Sequence, residues 1–521
     1  MKTTTIILFC LITSSLTWSQ KLYVAADGVV RITPTAFVHA GGDAEVVTGG
    51  DLTIDSDATA SGSLIVSGST TGNITYKRYI NDDNWHLVSA PVTDQDIPAF
   101  VGDAGTVVAF NADKKNHAVS YYNNTNAAGN RWTYHNTVDT DPENQETLTS
   151  FIAGQGYSMK RTAAGTYTFT GTMENADVSV TIPTTTTTGA HLWSAIANPF
   201  PSFLSVNTAA DAANLLIDNL AALDPSFAFL YVWDAASASY VPIAQGDTAL
   251  QLAPGQAFMV KAKTDGETFI FKKTLQNHNS GAATFYKSSA SNPTISVHLT
   301  NGTSNKSANL EFSDSSTTGL DVGYDAGAYQ DGTPIFSINT HLVSDSQGID
   351  FTRQSLPISS LDSEVSIPLS MNAGINEEVT FSVDTNHLPE GVSVYLEDTL
   401  NKTFTNLTEA PLKIKITSEL SGIGRFYLRT SSGVLSTETN LVGSLIAVYK
   451  TSNGTVKITG LTTGSAAAFS LFTILGKEVM ATKFSTQNVQ EILLPTSLST
   501  GVYIVNVVSG WGTFHKKIVI E

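Results

Sequence analysis

Gly154-Gln155-Gly156-Tyr157-Ser158-Met159-Lys160 returns about a hundred residues later as Gly255-Gln256-Ala257-Phe258-Met259-Val260-Lys261. Each stretch is a glycine turn running into a strand-like segment that ends on lysine. A further glycine and an aromatic strand follow in both places, Gly165-Thr166-Tyr167-Thr168-Phe169 and Gly266-Glu267-Thr268-Phe269-Ile270-Phe271. Upstream, His86-Leu87-Val88-Ser89-Ala90 matches His191-Leu192-Trp193-Ser194-Ala195. Between these anchors, Val107-Val108-Ala109-Phe110-Asn111 matches Leu230-Tyr231-Val232-Trp233-Asp234. Order and rough spacing are both kept, so one β unit is expected twice, as copy 1 over 76–185 and copy 2 over 186–290. The residues inserted before the middle strand of copy 2 are expected to form a helix over 208–223. Leu215, Leu216, Leu220 and Leu223 fall at helical spacing there, and Pro225 lies just beyond.

The flanking segments also read as strands. Over 20–75, apolar pairs such as Val29-Val30, Val46-Val47 and Leu64-Ile65-Val66 recur every ten to twelve residues or so between small-residue turns. This spacing suggests rungs of a short solenoid; a strand-rich cap on the next domain is the alternative. Residues 291–435 carry strand patterns at 294–299, 308–312, 335–338, 364–368, 379–383, 393–397, 412–416 and 424–429, which suits a jelly-roll or related sandwich. Residues 436–443 read as a linker, and 444–521 as a small Ig-like sandwich. The fold class is therefore mainly β and multidomain. It comprises β-sandwich or jelly-roll modules with a short N-terminal solenoid-like strand region and an Ig-like C-terminal domain.

The 521 residues are 41% hydrophobic and 14% charged, with a net charge of −18. The apolar share is enough for real cores. The acidic excess argues against nucleic acid, whose phosphates need clustered cations, and against an anionic membrane surface. At the N-terminus, Lys2 precedes the apolar run Ile6-Ile7-Leu8-Phe9-Cys10-Leu11-Ile12, and small residues follow to Ser19-Gln20. This is a secretory signal peptide over 1–19, with cleavage expected between Ser19 and Gln20. The run is too short to span a bilayer, and no later segment qualifies as a transmembrane helix. The single cysteine, Cys10, lies inside that signal, so disulfides and cysteine-held zinc are excluded from the mature chain.

The C-terminal segment resembles the type A C-terminal sorting domain of the Bacteroidetes type IX secretion system. The resemblance is carried by Ser470-Leu471-Phe472-Thr473-Ile474-Leu475-Gly476-Lys477, then Leu498-Ser499-Thr500-Gly501-Val502-Tyr503, then His515-Lys516-Lys517-Ile518-Val519-Ile520. Gly476, Lys477, Gly501, Tyr503 and Lys517 are its motif positions. The opening departs from the family pattern, because Tyr449-Lys450-Thr451-Ser452-Asn453-Gly454 has no proline. The resemblance implies a secreted or cell-surface protein of Bacteroidetes, whose partners are the type IX translocon and a sortase-like processing enzyme. It covers only the tail and says nothing about the activity of the other modules.

No catalytic constellation stands out. The histidines are scattered singly, and there is no H-E-x-x-H motif, G-x-S-x-G elbow, P-loop or dinucleotide fingerprint. His86 and His191 recur beside tryptophans, as equivalent ligand positions or as ordinary packing. Acidic turns at Asp139-Asp141-Glu143-Glu146, at Asp321-Asp325-Asp331 and at Asp55-Asp57 have the oxygen donors calcium needs, without an EF-hand pattern. Asp139, Asp141 and Glu143 are the candidate calcium ligands, and no other cofactor is expected. Aromatics are dense in the duplicated region. The loop holding Asn123, Asn124, Asn126 and Trp132 has the ring and amides of a glycan-binding surface. The function expected is adhesion or ligand binding without catalysis, with a glycan as the candidate ligand. An extracellular polysaccharide hydrolase and a purely structural surface or matrix component are the alternatives.

Overall fold

The computed structural model describes residues 21–520 except 104, 137–144, 186–190, 279–291, 333, 363–364, 419, 432–446, 452–453, 462–463, 465, 488 and 510–511. Strands make up 52% and helices 5%. The chain divides into two compact units, 1–289 and 290–521.

The first unit opens with three parallel ladders. Leu22–Val24 lies beside Ala44–Val46, which lies beside Thr70–Thr71. Val29–Ile32 runs along Asp51–Asp55, which runs along Ile74–Ile80, and Phe37–Ala40 runs along Ser63–Val66. Each coil thus has three short faces. Leu22 pairs with Ala44 and Val29 with Asp51, so a full coil carries three strands and more than one of the apolar pairs, whose spacing is shorter than the coil. Inward side chains stack from coil to coil, with Val24 over Val46 and Ile32 over Ile54, all buried. Glycine is required at a corner: Gly72 has φ 82°, and a Cβ there would meet the Val46 carbonyl oxygen at 1.9 Å.

Ile74–Ile80 has a second role. Its other edge pairs antiparallel with Gly165–Gly171, so this strand closes the solenoid and begins the next module. That module's main sheet runs in the order Trp85–Val88, Tyr157–Lys160, Asn116–Tyr122, Trp132–Asn136 and Gln145–Glu146, with Phe110–Asn111 paired to Asn116–Tyr122. The second module repeats its inner part, in the order Trp193–Ala197, Ala257–Lys261, Leu230–Asp234 and Ser239–Ile243. Its counterpart of the Ile74–Ile80 pairing is Val178–Ile182 against Glu267–Phe271.

Register fixes which residues correspond. Trp85 faces Lys160 in one ladder, and Trp193 faces Lys261 in the other. The first anchor therefore aligns Trp85…Pro91 with Trp193…Pro199, three residues away from the His-Leu match read in the sequence. The middle anchor shifts too: the strand beside Tyr157–Lys160 is Asn116–Tyr122, and 107–111 lies one hairpin earlier. The helix is also shorter than 208–223. Only Leu215–Asn219 is α-helical, because the buried side chain of Asn214 caps Ile217 N and starts the helix there.

The two modules grip each other reciprocally. Val88 bridges to Gln256 and Ile196 bridges to Gln155. Ser89 N donates to Gly255 O, and Ala197 N donates to Gly154 O, each at 2.8 Å. Both glycines have positive φ, 79° at Gly154 and 65° at Gly255.

The second unit is built on one large sheet. Its strands run in the order Thr403–Asn406, Ser393–Asp398, Leu420–Ser431, Ile367–Ala373, Ser337–Thr340, Phe351–Pro357, Asn305–Ser313, Thr294–Thr300, Glu378–Asn386 and Leu412–Lys415. Phe381 and Phe426 belong to strands far apart in that order, yet their rings are 5.0 Å apart. The sheet therefore folds over on itself around a core that includes Ile295, Leu369 and Leu428. Two ion pairs are buried in it, Arg425 with Asp398 (2.9 Å) and Arg429 with Glu397 (2.6 Å). The C-terminal module has a sheet of Ala447–Lys450, Thr455–Thr459 and Val489–Leu493, and a second of Glu478–Ser485, Ala466–Thr473, Gly501–Ser509 and Gly512–Ile520.

Candidate functional site

The first module carries a cleft of about 580 Å³ on its main sheet, within the range of about 300–1,000 Å³ usual for ligand sites. Local sequence builds it. Asn111 ends a short strand, and its Oδ1 accepts from the N–H groups of Asp113 (3.0 Å) and Lys114 (3.1 Å), an Asx turn that closes the hairpin. Lys115, with φ 58°, completes the reversal. The hairpin sets Phe110 opposite His117, with ring centres 4.7 Å apart, and leaves Phe110 49% exposed. Across the sheet, Trp85 and Tyr134 lean over the two intervening strands and meet edge to face at 5.9 Å. Ala109, Ala112 and Ala118 are the small lining residues that leave room between these rings, and Asn111, Asn116, Lys114 and Lys160 complete the wall.

Burial sets the electrostatics. Desolvation lowers the His117 imidazole below its ordinary pKa and so favours the neutral ring. Behind it, at 5.6 Å, His135 is fully buried and pushed down to about 4, by burial first and by His117 second. Its Nδ1 accepts from Leu148 N at 3.1 Å, so the neutral ring carries its proton on Nε2. Burial also raises the Tyr134 phenol. No aspartate or glutamate lines the cleft among the described residues.

The loop singled out in the sequence lies at the other end of the same strands. Asn124 is 3% exposed. Its Nδ2 donates to the carbonyl oxygens of His191 (2.8 Å) and Trp193, and its Oδ1 accepts from Thr185 Oγ1 at 2.8 Å. This corrects its assignment as a ligand-binding residue, because its amide is used to pin the two modules together. Asn123 Oδ1 accepts from Thr125 N and Oγ1, while Asn126 Nδ2 donates to Asn130 O and Thr133 Oγ1. Trp132 is half-buried, edge-on to Tyr122 at 5.1 Å. His86 is bound to Asp82 at 2.7 Å and His191 to the Tyr122 hydroxyl at 2.5 Å, and register makes them non-equivalent.

Asp139, Asp141 and Glu143, and the cleavage site Ser19–Gln20, lie outside the described residues. Glu146 accepts from the Tyr121 hydroxyl at 2.8 Å. The other acidic turns are internally bonded. Asp321 accepts from Thr317 N, and the buried Asp325 accepts from Asp321 N and Ser355 N, each at 2.6 Å. Asp57 accepts from Thr59 N and Ala60 N. No metal-type cluster of three such side chains occurs among the described residues.

In the tail, Gly476 (φ 81°) forms the turn between two strands and Lys477 is exposed beside it. The Tyr503 hydroxyl donates to Ser499 O at 2.8 Å, fixing the start of the Gly501 strand, and Lys517 is exposed opposite Ile504. No helix among the described residues is long and apolar enough to cross a membrane.

A family profile described as "Domain of unknown function (DUF8693)" matches residues 8–429. One described as "Secretion system C-terminal sorting domain" matches residues 451–521. Among solved structures, the chain is similar to one titled "Biofilm associated protein - BSP domain", with 7% identity, 85% of this chain and 97% of that one covered, and a TM-score of 0.15. It is also similar to one titled "Crystal structure of tetra-tandem repeat in extending region of large adhesion protein", with 9% identity, 80% and 93% covered, and a TM-score of 0.11. Scores this low carry no argument about this chain. No curated protein matches it.

Proposed function

The chain belongs to the family described as "Domain of unknown function (DUF8693)", and we propose that its body is a non-catalytic, glycan-binding adhesive segment carried outside the cell by its tail. The tail is a type IX secretion sorting domain, and it directs export to the cell surface or extracellular space. The observation that carries the binding reading is the open aromatic cleft of Trp85, Tyr134, Phe110 and His117, with Asn111 and Asn116 at its wall. Ring faces stack on the apolar faces of sugars, and amide groups bond their hydroxyls. A glycosidase needs two carboxyl groups about 5–9.5 Å apart across the sugar; the absence of any acid among the described lining residues supports binding over hydrolysis.

The test is retention on immobilised polysaccharides by the mature protein and by Trp85→Ala, Phe110→Ala and Trp132→Ala. The cleft reading expects loss of retention in the first two and retention close to wild type in the third. Phe110 is half exposed, so its variant keeps the fold. Loss confined to Trp132→Ala would move the site to the Asn123–Trp132 loop, and unchanged retention in all three would reject the cleft.

A further inference from the structure

We propose that the cleft of the first module takes a saccharide chain bearing carboxylate groups, with Lys160 and Lys114 reading the negative charge. This rests on the glycan-binding reading and adds the ligand's chemical class.

The duplication supplies an internal comparison. The cross-strand pair Trp85–Lys160 recurs as Trp193–Lys261. In the second module that pair is covered by the chain itself. The 3-10 turn Pro225–Phe227 lays the Phe227 ring against Trp193, at 5.4 Å edge to face, and over Lys261 Nζ, at 3.7 Å. Asp224, which caps the same turn, binds Lys261 Nζ at 3.0 Å. Trp193 is consequently 4% exposed. A ring on the tryptophan and a carboxylate on the lysine together satisfy the pair.

In the first module the equivalent place is open. Trp85 and Lys160 both line the cleft, and among the described residues Lys160 has no ion pair and no acidic side chain joins it in the lining as Asp224 joins Lys261. Lys114, at the hairpin turn, adds a second cation without an acidic partner among the described residues. In a chain with 46 acidic against 28 basic residues, two lysines without an acidic partner among the described residues, on a cleft lined by no described acid, form a local positive field. The chemistry missing from the first module is a ring face joined to a carboxylate, which a uronic acid residue supplies in one unit.

The test is calorimetric titration of the full mature protein with hexagalacturonate and with the same oligomer carboxyl-reduced to the neutral sugar. We expect the uronate to bind about tenfold or more tighter at low salt, the sum of two partly exposed charge contacts, with the gap closing as salt is raised. Lys160→Gln and Lys114→Gln should each narrow the gap between the two oligomers; their unchanged melting temperatures establish folding, and the salt titration needs no variant. Equal binding of the two oligomers overturns the charge reading and leaves glycan binding standing. Failure of both oligomers, or tighter binding of hexathymidylate or hexaglutamate than of either, overturns both readings.

Discussion

Asn124 and His135 show how single residues hold the first module in shape. Asn124 supplies its amide to two backbone carbonyls and a hydroxyl of the second module from a position 3% exposed. Asn124→Ala should cost about 1–3 kcal/mol in urea denaturation, the penalty for leaving buried acceptors unmade, whereas Asn126→Ala, on a half-exposed turn, should cost clearly less. His135 is held near 4 in the fold against 6.5 for a free histidine. Its folded pKa is depressed, so the unfolded chain binds more protons between those values. Stability is therefore lost as pH falls through about 6.5 to 4 and levels off below. His278, also pushed down to about 4 by burial, acts in the same direction. Melting temperatures at pH 7 and pH 5 should diverge more for the wild type than for His135→Gln; equal divergence would show that His135 carries no such linkage.

At the scale of elements, the reciprocal Gly-Gln turns carry the most consequence. A Cβ at Gly255 would meet Ser89 O at 2.4 Å, in a backbone conformation with φ 65°. Gly255→Ala should destabilise by about 1–3 kcal/mol. Urea denaturation that leaves this variant at wild-type stability would mean the turn has room the geometry does not show. The turns and their trailing strands were legible in the sequence because glycine, aromatic and lysine positions repeat there in order. The first anchor was not: His86-Leu87 and His191-Leu192 look alike, but the ladders pair Trp85 with Lys160 and Trp193 with Lys261. Only a pairing partner distinguishes a match of letters from a match of register. The cleft stayed hidden for the same reason, since Trp85, Phe110, Tyr134 and Lys160 come from four separate strands. The letters do hold one signal for it, a tryptophan followed six residues later by a proline in both copies, Trp85…Pro91 and Trp193…Pro199. In the tail, Val502 and Val519 face each other in register and remain 36% and 49% exposed. Replacing both by Asp should reduce surface export, read by whole-cell labelling, while the purified tail-bearing protein keeps its melting temperature. Undiminished export would exclude this face from recognition.

Across the whole molecule, the β class and the multidomain layout follow from the spacing of apolar pairs and turns. The three-sided coil could not be read from that spacing, because one coil presents more than one apolar pair and the spacing of the pairs is shorter than the coil. The function proposed above is that of an exported chain that holds polymer in the open aromatic cleft of its first module. The most direct test is to incubate the purified mature protein with polygalacturonate and follow both retention of the polymer on immobilised protein and its chain length by size-exclusion chromatography. The account predicts saturable retention, abolished in Trp85→Ala, with chain length unchanged. Shortening of the polymer, or no retention by the wild type of this or any neutral polysaccharide, would contradict it.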